Sequence, residues 1–220
     1  MKKFKLYLIC LFFLSPLSGF SATETSTFDL GDLKYNHYKP QWGVELNMSP
    51  YQINNDLFEI PGNTPIWLNH YAIQIEFQPR FVQPYGVLGM GLLTAIHTPS
   101  SKDTGTRQEL VYSFSLGGEL RYQLCYFKNQ FIVPNVAYSW EFWKYRLRNN
   151  NSSGNLIVQG PTIGAWLLLN FFDSENGKDF FYDYGIARTY LIFEARLLKG
   201  SNVSATMSGR AYYTGLRFEF

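Results

Sequence analysis

The chain has 220 residues, of which 46% are apolar, 18% aromatic and only 16% charged. Globular proteins carry about 25% charged residues, so this sequence is poor in charge and rich in rings. The composition excludes intrinsic disorder, which requires few aromatic residues and a high net charge. It also excludes a coiled coil, and the length fits a single domain.

The first residues have the three parts of a secretory signal peptide. Basic residues precede an apolar run over Leu6–Leu14, and small residues follow up to a cleavage position after Ser21. The apolar run is shorter than the about 20 residues that a membrane-spanning helix needs. We therefore expect residues 1–21 to be a cleaved signal peptide, residues 22–40 to be a periplasmic N-terminal segment, and residues 41–220 to form the folded domain.

Cleavage would change the charge and the cysteine content of the chain. Three of the 19 basic residues and none of the 17 acidic residues lie in the signal, which leaves a net charge of −1. A nucleic-acid partner therefore has no electrostatic support. Cys125 remains as the single cysteine, and no cluster of Cys or His has metal-ligand spacing, so no metal site and no cofactor is predicted.

The domain contains eight segments in which apolar and polar side chains alternate. Alternation with a period of two is typical of a strand with one apolar face, and about 9–11 residues suffice for a tilted strand to cross a membrane. The clearest alternation lies in Val111–Leu124. The other predicted strands are Trp42–Met48, His70–Gln78, Tyr85–His97, Phe131–Tyr145, Leu156–Phe172, Arg188–Leu198 and Thr206–Phe220.

Strands in lipid must form a closed barrel, because an open edge leaves backbone polar groups unpaired. We therefore predict an all-β, transmembrane, antiparallel up-and-down barrel with eight strands. Ten strands remain an alternative if the long segments Ser49–Asn69 and Asp173–Ala187 hide further strands, and a soluble secreted β-sandwich is a rival fold. Pro134 and Pro161 cannot donate to a strand ladder, so each is expected at a strand end or a bulge.

The connections are of two kinds, as expected for short periplasmic turns and longer outer loops. The short ones are Pro79–Pro84 and Cys125–Gln130, and the longer ones are Ser49–Asn69, Thr98–Leu110 and Arg146–Asn155. Asp173–Ala187 is too long for a periplasmic turn. Its aromatic residues favour either an interfacial belt or an earlier strand start with a bulge.

The chain stops on an alternating strand whose last residue is aromatic. Tyr213, Gly215, Phe218 and Phe220 occupy the polar, glycine, apolar and aromatic positions of a pattern that resembles the C-terminal signal of bacterial outer-membrane β-barrels. Length and strand number are similar to those of the small OmpA/OmpX-like class. The resemblance implies localisation in the bacterial outer membrane, contact with outer-membrane lipid and lipopolysaccharide, and recognition of this assembly signal by the barrel-assembly machinery. It does not specify an oligomeric state.

The inward faces of the predicted strands carry charged side chains. The interior of an eight-stranded barrel is just wide enough for side chains to fill it, and buried charges must pair. Because the first and last strands are neighbours on closure, we expect Glu45 to contact Arg217. The predicted charge network of the lumen comprises Glu45, Glu76, Glu119, Arg121, Glu141, Glu194, Arg196 and Arg217.

Three functions are compatible with this fold, since one architecture supports many activities. The first is a non-enzymatic role in envelope structure or surface contact, and the second is a narrow channel or a barrel that holds a small ligand or lipid. The third is a lipid A-modifying enzyme. The outer-loop residues expected to make surface contacts are Tyr51, Phe58, Trp67, Arg146 and Arg148.

The enzymatic alternative has the least support from the sequence. Lipid A deacylases of similar architecture carry an inward His and Ser two residues apart on the seventh strand, where this chain has Glu194 and Arg196. His97 could contact Ser113 across two neighbouring strands, but no third group that would orient the histidine is identifiable. No catalytic residue is therefore assigned, and His70 and His97 are expected at the outer rim.

Overall fold

The computed structural model describes residues 38–55, 66–81, 83, 86–99, 110–126, 130–147, 153–201 and 206–220. The predicted signal peptide, most of the predicted N-terminal segment, Phe58 and Arg148 lie outside these residues. Eight strands account for the alternating segments. They are β1 (Trp42–Asn55), β2 (Ile66–Phe77), β3 (Val87–Pro99), β4 (Leu110–Gln123), β5 (Ile132–Leu147), β6 (Ser153–Leu168), β7 (Arg188–Ser201) and β8 (Thr206–Glu219).

The strands pair in chain order, and β1 closes the barrel by pairing with β8. All pairs are antiparallel, with Glu45 opposite Gln74 on one side and opposite Arg217 on the other. Closure leaves no strand edge exposed to lipid, as a membrane barrel requires. The eight-stranded prediction is confirmed, and the alternative of ten strands is wrong.

The outward face of the barrel is a belt of exposed apolar side chains. Large apolar residues on every strand are about half exposed, including Ile75 at 52% and Ile163 at 64%. Such a continuous apolar surface is far larger than the patches of soluble proteins, and it matches the lipid-facing band of membrane barrels. The belt therefore places the barrel in a bilayer.

The segment Asp173–Ala187 forms a helix, which neither sequence interpretation anticipated. A short 3₁₀ helix, Leu169–Phe171, is followed by helix α1, Ser174–Tyr184. The Asp173 side chain accepts a hydrogen bond from the backbone N–H of Asn176, which caps the first turn. Gly185, with φ of 74°, ends the helix in the left-handed conformation that glycine adopts without strain. Among the described residues, no helix is long and apolar enough to cross a bilayer.

The two prolines behave differently from one another. Pro134 is the third residue of β5, close to the strand end where it was expected. Pro161 lies in the middle of β6 and opposite Tyr138, without a bulge, so that prediction is wrong. Its missing N–H is tolerated because the pairing of β6 with β7 is interrupted between Gln159 and Thr162.

Several strands are longer than a bilayer requires. At about 3.3 Å per residue and a tilt of about 40°, the 16 residues of β5 rise roughly 40 Å. The apolar band of a membrane barrel is about 25 Å tall. The wall is therefore taller than the apolar band, and the end opposite the chain terminus Phe220 is the predicted outer end.

Candidate functional site

The lumen is filled by side chains, with charged groups in its lower part and aromatic and apolar groups above them, and every predicted member of the charge network is buried inside it. Exposure ranges from 0% for Glu45, Glu76 and Arg217 to 5% for Glu194. The predicted contact between Glu45 and Arg217 is present.

The lower layer surrounds the guanidinium of Arg217. This group contacts Glu45, lies 2.6 Å from Glu76 and donates from Nε to Glu219 at 3.1 Å. The amide of Gln78 donates to both Glu76 and Glu219 at 3.0 Å, which ties the two carboxylates together. Glu219 was missing from the predicted network, although it alternates in phase with Arg217 on the last strand.

Arg121 connects the lower layer to the middle of the lumen. Its guanidinium contacts Glu45 and lies 3.2 Å from Glu76, 2.7 Å from Glu119 and 3.4 Å from Glu194. One cation therefore serves four carboxylates on four different strands. Such an arrangement is required because an unpaired buried charge is very costly.

The indole of Trp166 fills the space beside these cations. The side chain is fully buried, and the guanidinium carbons of Arg121 and Arg217 lie 4.8 Å and 4.5 Å from its ring centroid. Its Nε1 donates to Glu194 at 2.9 Å. Trp166 thus combines two cation–π contacts with a charge-assisted hydrogen bond.

The upper layer is organised by Arg196. Its guanidinium donates to Glu119 at 2.9 Å, to Glu141 at 2.8 Å and from Nε to Thr162 at 3.0 Å. It also lies over the ring of Tyr213, 4.6 Å from the centroid. Glu119 bridges Arg121 and Arg196, so the charges form one connected network.

Above the charges, a cluster of rings occupies the lumen. Nδ1 of His70 and Nε2 of His97 are 2.7 Å apart, and the ring of Tyr51 stacks on that of His70 with centroids 4.6 Å apart. The hydroxyl of Tyr51 is hydrogen-bonded to that of Tyr213. The ring of Trp143 lies 3.8 Å from that of His97. Both histidines are fully buried, so their predicted position at the outer rim is wrong.

The outer end of the lumen is a small apolar core. It consists of buried residues from six strands, while neighbouring outward positions such as Asn155, Lys199 and Arg210 are polar and exposed. The polarity of the wall is therefore inverted relative to the membrane belt, with apolar residues inside and polar residues outside. The members of this core are Tyr51, Leu68, Trp143, Leu156, Val158, Leu198, Ala211 and Tyr213.

The described residues that were predicted to lie in outer loops belong to strands in the structure, and they differ in how deeply they are buried. Tyr51 was expected in an outer loop and lies instead inside the lumen, because β1 continues to Asn55. Trp67 is half-buried on β2, and Arg146 is exposed near the outer end of β5.

The four residues of the predicted assembly signal lie on or next to β8. The Tyr213 side chain points inward, and a Cβ at Gly215 would collide with the carbonyl oxygen of Leu46. Phe218 is opposite Val44, and the N–H of Phe220 donates to the carbonyl of Trp42 at 2.8 Å. These contacts seal β8 against β1, while recognition by the assembly machinery stays a prediction.

Groups that could support chemistry are poorly arranged for it. His97 and Ser113 are opposite each other on β3 and β4, but within the described part of the chain His97 Nδ1 and Ser113 Oγ have no hydrogen-bond partner. Burial raises the pKa of the Cys125 thiol, which lowers its nucleophilic fraction near neutral pH. Over the described ranges, no group of three or more His, Cys, Asp or Glu could hold a metal ion.

Comparison with known proteins identifies the architecture. No protein-family model matches the sequence, and a search of curated proteins found no match. The structure is similar to that of Neisserial surface protein A, with a TM-score of 0.55, 11% identity, and coverage of 81% of this chain and 97% of that chain. The fold is that of bacterial outer-membrane barrels. This likeness supports the predicted outer-membrane localisation.

Two barrels from Pseudomonas aeruginosa are also similar. OprG matches with a TM-score of 0.48 and 11% identity over 84% of this chain and 98% of its own. The N-terminal barrel domain of OprF matches with a TM-score of 0.45 and 12% identity over 83% of this chain and 100% of its own.

Proposed function

We propose that this protein is a non-enzymatic outer-membrane barrel that acts through its outer rim and loops rather than through its lumen. The filled lumen carries this proposal. Paired charges occupy its lower and middle parts, and the apolar core of six strands closes its outer end. A conducting path would have to cross that core, whose side chains pack against one another and are almost fully buried.

A narrow channel or a ligand-holding barrel remains the second candidate, and solute permeation distinguishes it. The refolded protein in phospholipid vesicles is expected to leave their permeability to small sugars unchanged, whereas a general porin assayed in parallel admits them. The gel mobility shift on heating verifies folding of the same sample. Sugar entry at a rate proportional to the amount of folded protein would overturn the proposal.

The enzymatic alternative receives no support from the lumen. The buried imidazoles contact each other and aromatic rings, and no carboxylate orients either ring in the described structure. Lipid substrates would also have to enter the closed interior. Incubation of the folded protein with lipid A is therefore expected to release no acyl chain. If the protein releases acyl chains and a His97→Ala variant does not, the non-enzymatic proposal is contradicted.

Lipopolysaccharide is the partner that the outer rim fits best. The acidic residues of the described strands are all buried in the lumen, whereas Lys144, Arg146, Lys199 and Arg210 are exposed toward the outer end. Lys199 and Arg210 occupy diagonal positions on β7 and β8. A basic rim complements the phosphates of lipopolysaccharide, to which lysine and arginine donate charge-assisted hydrogen bonds.

Removal of two of these charges tests whether lipopolysaccharide binds to the basic rim. At about 1 kcal/mol per basic residue near an anionic surface, the double variant Lys199→Ser/Arg210→Ser is expected to bind fluorescent lipopolysaccharide roughly 30-fold more weakly. The variant Lys39→Ser/Arg80→Ser removes the same charge from exposed positions near the opposite end and serves as the control. Equal losses in both variants would indicate a non-specific charge effect and refute the rim site.

A further inference from the structure

Helix α1 is held against the outside of the barrel at its periplasmic end. Asn170, just before the helix, accepts a hydrogen bond from the backbone N–H of Thr189 at 2.7 Å, which joins this segment to the start of β7. A Cβ at Gly177 would lie 2.6 Å from the amide nitrogen of Asn170, so glycine permits the helix to approach closely. One turn further along the helix, the ring of Phe181 packs on that of Tyr38, with the centroids 5.1 Å apart. The helix therefore has a fixed position on the wall.

A cleft of about 330 Å³ lies between α1 and the barrel wall. Its volume is within the range of about 300–1,000 Å³ that is typical of ligand pockets. Carbon atoms make up most of its exposed surface, polar side chains contribute part of the lining, and the cleft is partly open. Its lining includes Leu169, Asn170, Asp173, Phe180, Thr189 and Phe218.

The strand register places this cleft at the lower edge of the apolar belt. Phe218 is opposite Val44 on one side and opposite Thr189 on the other, and it points outward between two inward residues. Trp42 lies two residues before Val44 on the same outward face of β1. Its ring packs on that of Phe77, with the centroids 5.0 Å apart. Aromatic residues at this level form the girdle of a membrane barrel. The cleft therefore lies at the level of the membrane interface.

The surface around the cleft is rich in exposed rings. Rings of this kind concentrate at the membrane interface, where their apolar bodies meet acyl chains. Gly177, Phe180, Phe181 and Tyr184 share one face of α1, as expected of a helix that lies in the interface plane. The exposed rings are Phe171, Phe172, Phe180, Tyr182 and Tyr184.

We propose that this cleft binds an acyl chain of a phospholipid from the inner leaflet of the outer membrane. The apolar lining accepts the chain, and the cleft's position at the girdle leaves the headgroup at the level of α1. Asp173 lines the cleft, and Glu175, Asp179 and Asp183 are exposed on the same helix. These carboxylates favour a headgroup that carries an ammonium, as in phosphatidylethanolamine, over an anionic one.

Photocrosslinking locates the lipid without any mutation. The folded full-length mature protein in vesicles would be labelled by phosphatidylethanolamine with a diazirine on its acyl chain, and the labelled peptides identified by mass spectrometry. We expect labelling of the segment 169–180 at least fivefold above the mean of the other lipid-facing segments. Uniform labelling around the belt would overturn the proposal.

Two matched variants test the cleft itself. Phe180→Ser removes an aromatic wall of the cleft, whereas Tyr182→Ser removes an exposed ring of the same helix that does not line it. Labelling of 169–180 is expected to fall at least fivefold in the first variant and to persist in the second, with folding verified by heat-modified gel mobility. Equal labelling in both, or a protein crosslink that places residues 22–37 in the cleft, would refute lipid occupancy. Preference for an anionic phospholipid would refute the headgroup assignment.

Discussion

Replacement of Arg121 by Met is expected to lower the free energy of unfolding by about 3–5 kcal/mol, the usual cost of removing one partner from a buried ion pair. Methionine retains much of the side-chain length and leaves four buried carboxylates without their shared cation. They are Glu45, Glu76, Glu119 and Glu194. Urea unfolding of the refolded protein, followed by tryptophan fluorescence, measures the loss.

Two further variants test whether the loss arises from the buried, paired position of the Arg121 charge rather than from loss of a positive charge as such. Arg210→Met removes an exposed arginine from the outward face and is expected to change stability by less than about 0.5 kcal/mol. Adding Glu45→Gln to Arg121→Met removes one of the four carboxylates that the Arg121 guanidinium contacts, and is expected to recover part of the loss. If Arg121→Met and Arg210→Met were equally stable, the lumen network would not be paired as described.

The second large effect is expected at Trp166. Truncation to alanine removes a fully buried indole, its two cation–π contacts and its hydrogen bond to Glu194. Substitution of a buried tryptophan by alanine costs about 3–5 kcal/mol, so Trp166→Ala is expected to show a loss of that size in the same urea titration.

Trp140→Ala is the matched control for this loss. The Trp140 side chain is 45% exposed and faces lipid from β5, so its truncation leaves no cavity in the lumen. A smaller loss than that of Trp166→Ala is expected. A loss at Trp140 equal to or larger than that at Trp166 would mean that the lumen contributes no more to stability than the lipid-facing surface.

The membrane-embedded part of the barrel could be predicted from the sequence because polarity alternates there with a period of two. In the belt, lipid selects apolar side chains on one face and the charged lumen selects polar ones on the other. Segments such as Val111–Leu124 therefore predicted β4 (Leu110–Gln123) to within one residue. The same alternation assigned Glu45 and Arg217 to the lumen.

The outer end could not be predicted in this way because the polarity of the wall inverts above the membrane. Tyr51 and Leu68 face inward there, while Asn69 and Lys199 face outward. Apolar side chains alternate with polar ones there too, but the apolar ones face inward. A prediction that expects apolar side chains to face lipid therefore interprets this part of the strand as a loop. For this reason the sequence pattern predicts that β1 ends at Met48 rather than at Asn55, that Tyr51 lies in a loop, and that the two histidines lie at the rim.

Helix α1 was missed although its sequence signals are present. Asp173 precedes the helix as a cap, Gly185 follows it, and Phe180, Phe181 and Tyr184 share a helical face with Gly177. The aromatic cluster predicts an interfacial belt, and three rings of the helix are exposed. Their place at the membrane interface stays a prediction.

Single-channel conductance of the refolded mature protein in a planar bilayer, at two salt concentrations, tests the closed lumen most directly. Because paired charges fill the lumen and an apolar core caps it, the protein is expected to give no steady openings at either salt concentration. Folded protein verified by its gel mobility must be present in the same preparation. Steady openings whose conductance scales with salt concentration would contradict the closed lumen and establish a water-filled path through the barrel.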